Sequence, residues 1–587
     1  MSSIYDKSSL VLIPSGTKSG KVYSQKPVSG DGDFTFTRSS AATRVNADGN
    51  IEKETQNQIT YSNDLSQTAW LKYLISITGG QSGYDGTSDA WLLEKSGAYG
   101  NVYRNVSNSG VVTWSVYAKA GSYDFLALRF RNTSNNYRTA FFDLSNGTLG
   151  SVDSNIIKHT IESVGSGWYR CQIAFNDSAI NQVMIYPSDV NNGIANSGTG
   201  NIYIQDAQLE QGLVARDVIT TTTTAVEGGI TDNVPRLDYT DSSCPALLLE
   251  PQRTNLYQHS EYIFNFQGTE TFNDSNSPEG VSNAVKLTKT SASDQFVNMS
   301  WSGSSLTAST DYTLSLFVKH AGDDVDVRYE YNNSNDWGKA WYALFQVRSS
   351  GVTASTTSNC TSDVKDYGNG WYRILVFVET ASSITPSSPS NLLRVIGASG
   401  DDVLVYGAGM EEGSYATSYI PSYGSSVTRN GETCNSAGTS ATFNSTEGVL
   451  YAEISALYDD QTSRRITISD GTNTNRIVTG YNTSSNQIFY FIIVGGSTIA
   501  SAIYTTTDIT DFHKVAIKYK VNDFALWIDG VERHTDSSGA IFGANTLSEM
   551  QFTQGSGSGL NFYGNTKQVI YIPTALTDAE LADLTTL

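Results

Sequence analysis

Three kinds of side chain in this sequence could do chemistry, and their spacing decides which chemistry is open to them. The first is the carboxylate. "YDDQTSRR" (Tyr458 to Arg465) sets two aspartates side by side; on a strand such neighbours face opposite sides, so the pair reads as a turn rather than a reaction centre. The second kind is the metal ligand or nucleophile. His159, His259, His320, His513 and His534 form no metal-ligand cluster and no local triad signature. Cys171, Cys244, Cys360 and Cys434 form no CxxC and read as four independent reduced thiols. The third kind is the aromatic ring. Tyr137 ("TSNNYRTA") and Trp337 ("NSNDWGKA") align at an offset of 200 in polar, Asn-rich segments. A flat apolar face ringed by hydrogen-bonding groups is what sugar binding requires. Packing under a loop or at a subunit interface is the competing reading for both rings.

Composition limits what must position these residues. Among 587 residues, hydrophobic types make up 39% and charged types 16%, with 51 glycines and 34 tyrosines, the profile of many short strands joined by polar turns. The net charge of −21 argues against nucleic acid and anionic membrane surfaces as partners. No segment approaches the roughly 18 apolar residues of a membrane span, so membrane insertion is not expected.

The chain repeats itself. "GSGWYRCQIAF" (Gly165 to Phe175) returns as "GNGWYRILVFV" (Gly368 to Val378), "VVTWSVYAKAG" as "YTLSLFVKHAG", and "AQLEQG" as "AGMEEG". Offsets of 200, 203 and 201 residues are loop insertions between fixed strands, the mark of a duplicated domain. Within each copy bulky residues alternate with small or polar ones, which predicts half-buried antiparallel strands and a jelly-roll sandwich of about 160 residues. Trp168 and Trp371 share one register in the two copies and read as scaffold. "TTTTT" (Thr220 to Thr224) predicts a strand-like connector.

Beyond the repeats, "HKVAIKYKVNDFALWIDGVE" (His513 to Glu532) predicts a β-meander with turns at Asn522-Asp523 and Asp529-Gly530. Trp527 falls on the face opposite Phe524, Leu526 and Ile528, where a loop, a subunit or a sugar ring must cover it. Thr577 and Glu580 form a capping box for a last helix.

The segments "DFTFTRSSAATRVNADGNIE" (Asp33 to Glu52) and "NVPRLDYTDSSCPALLLEPQRTNLYQHSE" (Asn233 to Glu261) resemble the lead of a family of bacteriophage virion appendage proteins. These carry carbohydrate-binding-module-like jelly rolls and a C-terminal concanavalin-like or laminin-G-like domain. In that family the two segments are nearly adjacent; here about 180 residues part them. "TQNQITYSNDLSQTAW" (Thr55 to Trp70) is a worn version of "QRTNLYQHSEYIFNF", so an extra module sits in the connector.

The resemblance implies an all-β chain of two tandem jelly-roll sandwiches and a concanavalin-like sandwich, with a short N-terminal anchor. The expected boundaries are 1–55 anchor and lead, 56–215 first module, 216–258 connector, 259–425 second module and 426–587 C-terminal domain. It implies a projecting head or tail fibre subunit on the virion surface, homotrimeric, bound through its N-terminus to capsid or tail proteins and touching host surface polysaccharide. Lys7, Lys18, Lys21 and Lys26, with no acid from Lys7 to Gly30, are the expected docking charges, and "SLVLIP" an added strand or plug. No signal peptide is recognisable, so release at lysis is the expected route.

No cofactor is implied. Such modules often hold a structural calcium, for which Asp206 and Asp402 are candidates without an assigned ligand set. Concanavalin-fold glucanases need carboxylates alternating along one strand, E-x-D-x-x-E, and no such run occurs. No enzyme is therefore expected, with a tailspike-like polysaccharide depolymerase as the alternative.

Overall fold

The computed structural model describes residues 2–240, 242–301, 306–385 and 390–586. It is an all-β chain built from antiparallel sandwiches, with short helices at the two ends. No helix among the described residues is long and apolar enough to cross a membrane.

In the first jelly roll two long strands, Asn101–Ala120 and Trp168–Ser188, lie antiparallel and pass through both layers. Their ladder slips between Asn105 and Gly110, which bends the pair from one sheet into the other. One half pairs with Asn201–Gln211 and Ile156–Gly165, the other with Phe125–Asn132. The second jelly roll keeps this order but breaks both long strands. Gln295–Ser300 and Asp311–His320 stand where Asn101–Ala120 was, and Trp371–Glu379 and Ser390–Ile396 where Trp168–Ser188 was. The duplication read from GWYR is thus a duplication of topology.

Each copy is closed by the same asparagine. Asn57 donates to the carbonyls of Ala207 and Ile219 and accepts from the Ile59 and Leu209 amides. Asn255 does the same with Ala408, Ile420, Tyr257 and Met410. The half-buried strand expected at "VVTWSVYAKA" is buried on both faces from Val111 to Ala118, because the chain leaving the module crosses its outer side; Thr113 Oγ1 donates to the Gly212 carbonyl at 2.8 Å. Thr220 to Thr224 forms no strand. Thr221 instead bonds back to Ile59 and Ser62, and the short strand Val226–Gly228 pairs with Thr55–Asn57.

The third sandwich is discontinuous, which corrects the expected linear boundaries. Its eight-stranded sheet contains Glu447–Ala456, Gly564–Ile572, His513–Lys520, Asp523–Ile528 and Val531–Asp536, but also Leu10–Leu12, Arg236–Asp238 and Ala246–Leu249. Leu10 lies opposite Tyr571 and Leu247 opposite Thr566. Leu10, Leu12, Val22, Phe34, Phe36, Leu247 and Leu249 share one core with Ile466, Ile517 and Phe524. Residues 1–55 and 216–258 are therefore not a separate anchor and connector. Large parts of both belong to the C-terminal sandwich, and the two jelly rolls are inserted between its strands.

Two buried ionic welds hold this arrangement. In the first, Arg38 and Arg236 both bind Glu432, at 2.7 and 2.9 Å, while Arg236 and Arg429 bind Glu250 at 2.6 and 2.8 Å. Burial alone would push the Glu250 carboxyl up, but Arg429 and Arg236 outweigh it and hold it well below the usual range. Three guanidiniums share two carboxylates: burial lowers Arg38 and Arg429, whereas Glu432 and Glu250 overcome burial to raise Arg236. In the second weld Lys53 binds Glu261 and Glu279 at 2.5 and 2.9 Å, and Arg216 closes on Glu279. It ties the lead and the exit of the first module to the second.

Candidate functional site

The structure separates the three aromatic candidates. Trp337 is fully buried, donates Nε1–H to Asn391 Oδ1 at 3.1 Å, and packs edge-on against Trp341 and Tyr312. It is a core residue, which overturns the sugar contact expected of it. The ladder shows why the alignment misled: Tyr137 lies opposite Arg131 and Tyr342 opposite Glu330, so the outward ring matching Tyr137 is Tyr342, displaced by a longer loop. Trp527 lies opposite Ala516, on the face away from Phe524 and Leu526, as its periodicity requires. The cover is neither sugar nor subunit but the C-terminal helix Asp578–Thr585, through Leu581 and Leu584, with Val11 and Ile4 from the N-terminus. Tyr137 alone stays at the surface, half-buried beside Phe141, Met184 and Tyr186. The Arg129 guanidinium carbon stacks 4.0 Å from its ring centre, so one ring face is already taken.

The four lysines expected to dock on a virion are engaged within the chain. Lys7 pairs with Glu580, Lys21 with Asp33 at 3.4 Å, Lys26 donates to the Ser8 carbonyl at 3.2 Å, and Lys18 lies over Tyr23. "SLVLIP" does supply an added strand, but to its own C-terminal sheet. The Glu580 carboxyl is held down to about 2 by Lys7 and by the capping Thr577.

The two GWYR stretches serve as scaffold. Trp168 and Trp371 are buried, and Arg373 donates to the Thr417 carbonyl and Ser315 Oγ at 2.7 and 2.9 Å. Asp206 sits at a bulge with φ +50, where the second copy has Gly407 at +59. Burial pushes its carboxyl up to about 6 while Tyr84 donates to it at 3.0 Å. Burial also raises Asp402, beside Asp323. Among the described residues no group of three or more His, Cys, Asp or Glu side chains is placed to hold a metal ion.

What the sequence did not single out is Tyr458. At "YDDQTSRR" the expected turn is an irregular loop running into the strand Arg464–Ser469, in which Asp459 accepts from the Asn486 amide and Asp460 from the Thr462 amide. The residue before it, however, is 42% exposed, and its ring stacks at 5.5 Å and 16° on buried Tyr415. Tyr458 lines a cleft of about 420 Å³ between the C-terminal sandwich and the second jelly roll, facing Asp311, Lys339, Asn359 and Glu379. Among the described residues the side chains of Asp311, Lys339 and Glu379 have no hydrogen-bond or ion-pair partner. A backed aromatic with unspent polar groups on the opposite wall can hold the C–H face of a sugar and bond its hydroxyls. An aromatic abutting a turn was its one sequence signal.

Near the other edge of the same sandwich His513 Nδ1 lies 2.6 Å from Asp529 Oδ2, and Nε2 lies 2.8 Å from the Asp508 carbonyl. Two acceptors facing two ring nitrogens call for the imidazolium form. Burial would lower the imidazole, but Asp529 and the Asp508 carbonyl outweigh it and raise it; the Asp529 carboxyl is correspondingly lowered against burial by His513. The histidine contribution is full below its unfolded value, about 6.5, and is lost as pH rises through the raised folded value. The aspartate contribution is present above about 3.9 and lost as pH falls through the lowered one. The melting-temperature gap between the native chain and His513→Gln is therefore expected to be widest near pH 5–6 and to shrink toward pH 9. A gap that grows with pH would contradict the imidazolium.

No protein-family model and no curated protein matches the chain. Among solved structures, the chain is similar to the CBM40 of the Ruminococcus gnavus IT-sialidase bound to alpha2,3 sialyllactose, at 13% identity over 24% of this chain and 83% of that one, with a TM-score of 0.22. The CBM22-1–CBM22-2 tandem domain of Paenibacillus barcinonensis Xyn10C matches at 11% identity over 61% of this chain and 97% of that one, TM-score 0.20. Domains LG4-5 of the mouse laminin alpha1 chain match at 11% identity over 50% and 93%, TM-score 0.17.

Proposed function

We propose that this chain is a non-catalytic glycan-binding appendage, a projecting subunit on the surface of a virus particle that assembles as a homotrimer and contacts host surface polysaccharide. The observation that carries the glycan reading is the Tyr458 cleft: an exposed ring stacked on Tyr415, in one cleft with the side chains of Asp311, Lys339 and Glu379, between the second jelly roll and the C-terminal sandwich. The virion reading is supported by the resemblance of the lead and connector segments to phage appendages. The segment that the resemblance offers as an anchor is folded into this chain, its first strand being part of the C-terminal sheet.

The test is an array of host surface polysaccharides probed with the whole protein. Tyr458→Ala is expected to weaken binding about tenfold or more while the melting temperature stays within about 1 °C, since the residue is 42% exposed. An unchanged affinity in that variant, or no bound glycan at all, would overturn the reading.

A further inference from the structure

A second, larger recess lies between the two jelly rolls. It is an open trough of about 780 Å³, within the range of ligand sites, with one wall from the first module and the other from the second. Its floor is backbone pressed against backbone. The Val111 amide donates to the Tyr423 carbonyl at 2.9 Å. Gly110, at φ +81, approaches so closely that a Cβ there would lie 1.6 Å from the same carbonyl oxygen. With Lys53 and Arg216 locking the same junction onto Glu261 and Glu279, the two walls keep a fixed separation.

The lining is unusual in what it leaves unspent. Asn132 and Asp177 satisfy each other at 2.9 Å. Ser109 Oγ, the Asn176 side-chain amide, Ser178 Oγ, Gln211 Oε1, His259 Nδ1 and Ser425 Oγ have no hydrogen-bond partner among the described residues. Burial lowers His259 to about 4, so at neutral pH its ring is uncharged and offers one donor and one acceptor. Its orientation is fixed by Tyr262 and Phe264, edge-on at 5.5 and 5.7 Å. Among the described residues no lysine or arginine lines the trough, and its one carboxylate is already occupied.

We infer that this trough is a binding site for a neutral oligosaccharide, distinct from the Tyr458 cleft and built jointly by the two modules. Groups that both donate and accept match vicinal hydroxyls, which do the same. A lining without cations gives an acidic sugar nothing to pair with. Duplication of the jelly roll then creates a site that neither copy holds alone.

The experiment titrates the whole protein calorimetrically with cellohexaose, laminarihexaose and maltohexaose, and with hexagalacturonic acid as the acidic comparison. At least one neutral hexamer is expected to bind, at least tenfold more tightly than the acidic one. Ser425→Trp, which fills the trough from an exposed position, and Asn176→Ala are expected to weaken that binding tenfold or more. Failure of every neutral hexamer, tighter binding of the acidic one, or native affinity in Ser425→Trp overturns the trough. Loss of hexamer binding in Tyr458→Ala also overturns it, yet supports the other cleft. Native binding of every glycan in Tyr458→Ala, together with loss in Ser425→Trp, leaves the trough standing and removes the Tyr458 reading.

Discussion

Arg236→Ala is expected to cost about 3–5 kcal/mol, because it takes one of two guanidinium partners from each of two carboxylates in a dry interior. The side chain is fully buried and bridges Glu432 and Glu250, with further bonds to the Thr43 carbonyl and Ser418 Oγ at 3.1 and 2.7 Å. Without it each acid is left facing a single guanidinium, Glu432 that of Arg38 and Glu250 that of Arg429. The weld joins the lead, the connector and the chain leaving the second module, so the C-terminal sandwich should lose its inserted strands first. Scanning calorimetry should show its transition moved down while the jelly-roll transitions shift less. The comparison is Arg44→Ala, whose pair with Glu52 is partly exposed and worth about 0–1 kcal/mol. If Arg236→Ala costs no more than Arg44→Ala, the weld is not what holds the three segments together.

Asn255→Ala should cost several kcal/mol, and Asn57→Ala a similar amount, but in different modules. Each asparagine is buried and satisfies four backbone groups, and each group left unpaired in the interior costs roughly 1–3 kcal/mol. In the first module the orphans would be Ala207, Ile219, Ile59 and Leu209. Hydrogen exchange should show Asn57→Ala loosening residues 57–221 and Asn255→Ala loosening 255–422, each sparing the other copy. A loss under about 1 kcal/mol, or loosening spread evenly over both copies, would refute the clamp.

Much of this protein could be read along the chain. The all-β class, the duplicated jelly roll, the hairpin turns at Asn522 and Asp529, the capping box at Thr577 and Glu580, and the scaffold role of Trp168 and Trp371 all follow from local patterns. A strand shows its faces through a period of two, and a turn through residues that tolerate positive φ. The clamp asparagines were also within reach, since "TQNQ" and "RTNL" sit at the head of each repeat. What local pattern encodes is which face of a strand is apolar. It does not say what that face meets.

That is what the tertiary structure decided. Leu10 pairs with Tyr571 and Arg38 with Glu432, partners hundreds of residues apart that leave no trace in either neighbourhood. The segments that resemble a phage lead read as an anchor and a linker; folded, their charged residues are the buried weld of a sandwich into which both jelly rolls are inserted. Trp337 looked like a surface ring because its neighbours Asn335 and Asp336 are polar, yet the loop turns it inward, and Tyr342 takes the outward place. Trp527 was placed on the correct face, but only the return of both termini over that sheet determined that helices cover it. Tyr458 was unremarkable until the second jelly roll set Asp311, Lys339 and Glu379 opposite it, because a cleft between two units belongs to neither sequence segment.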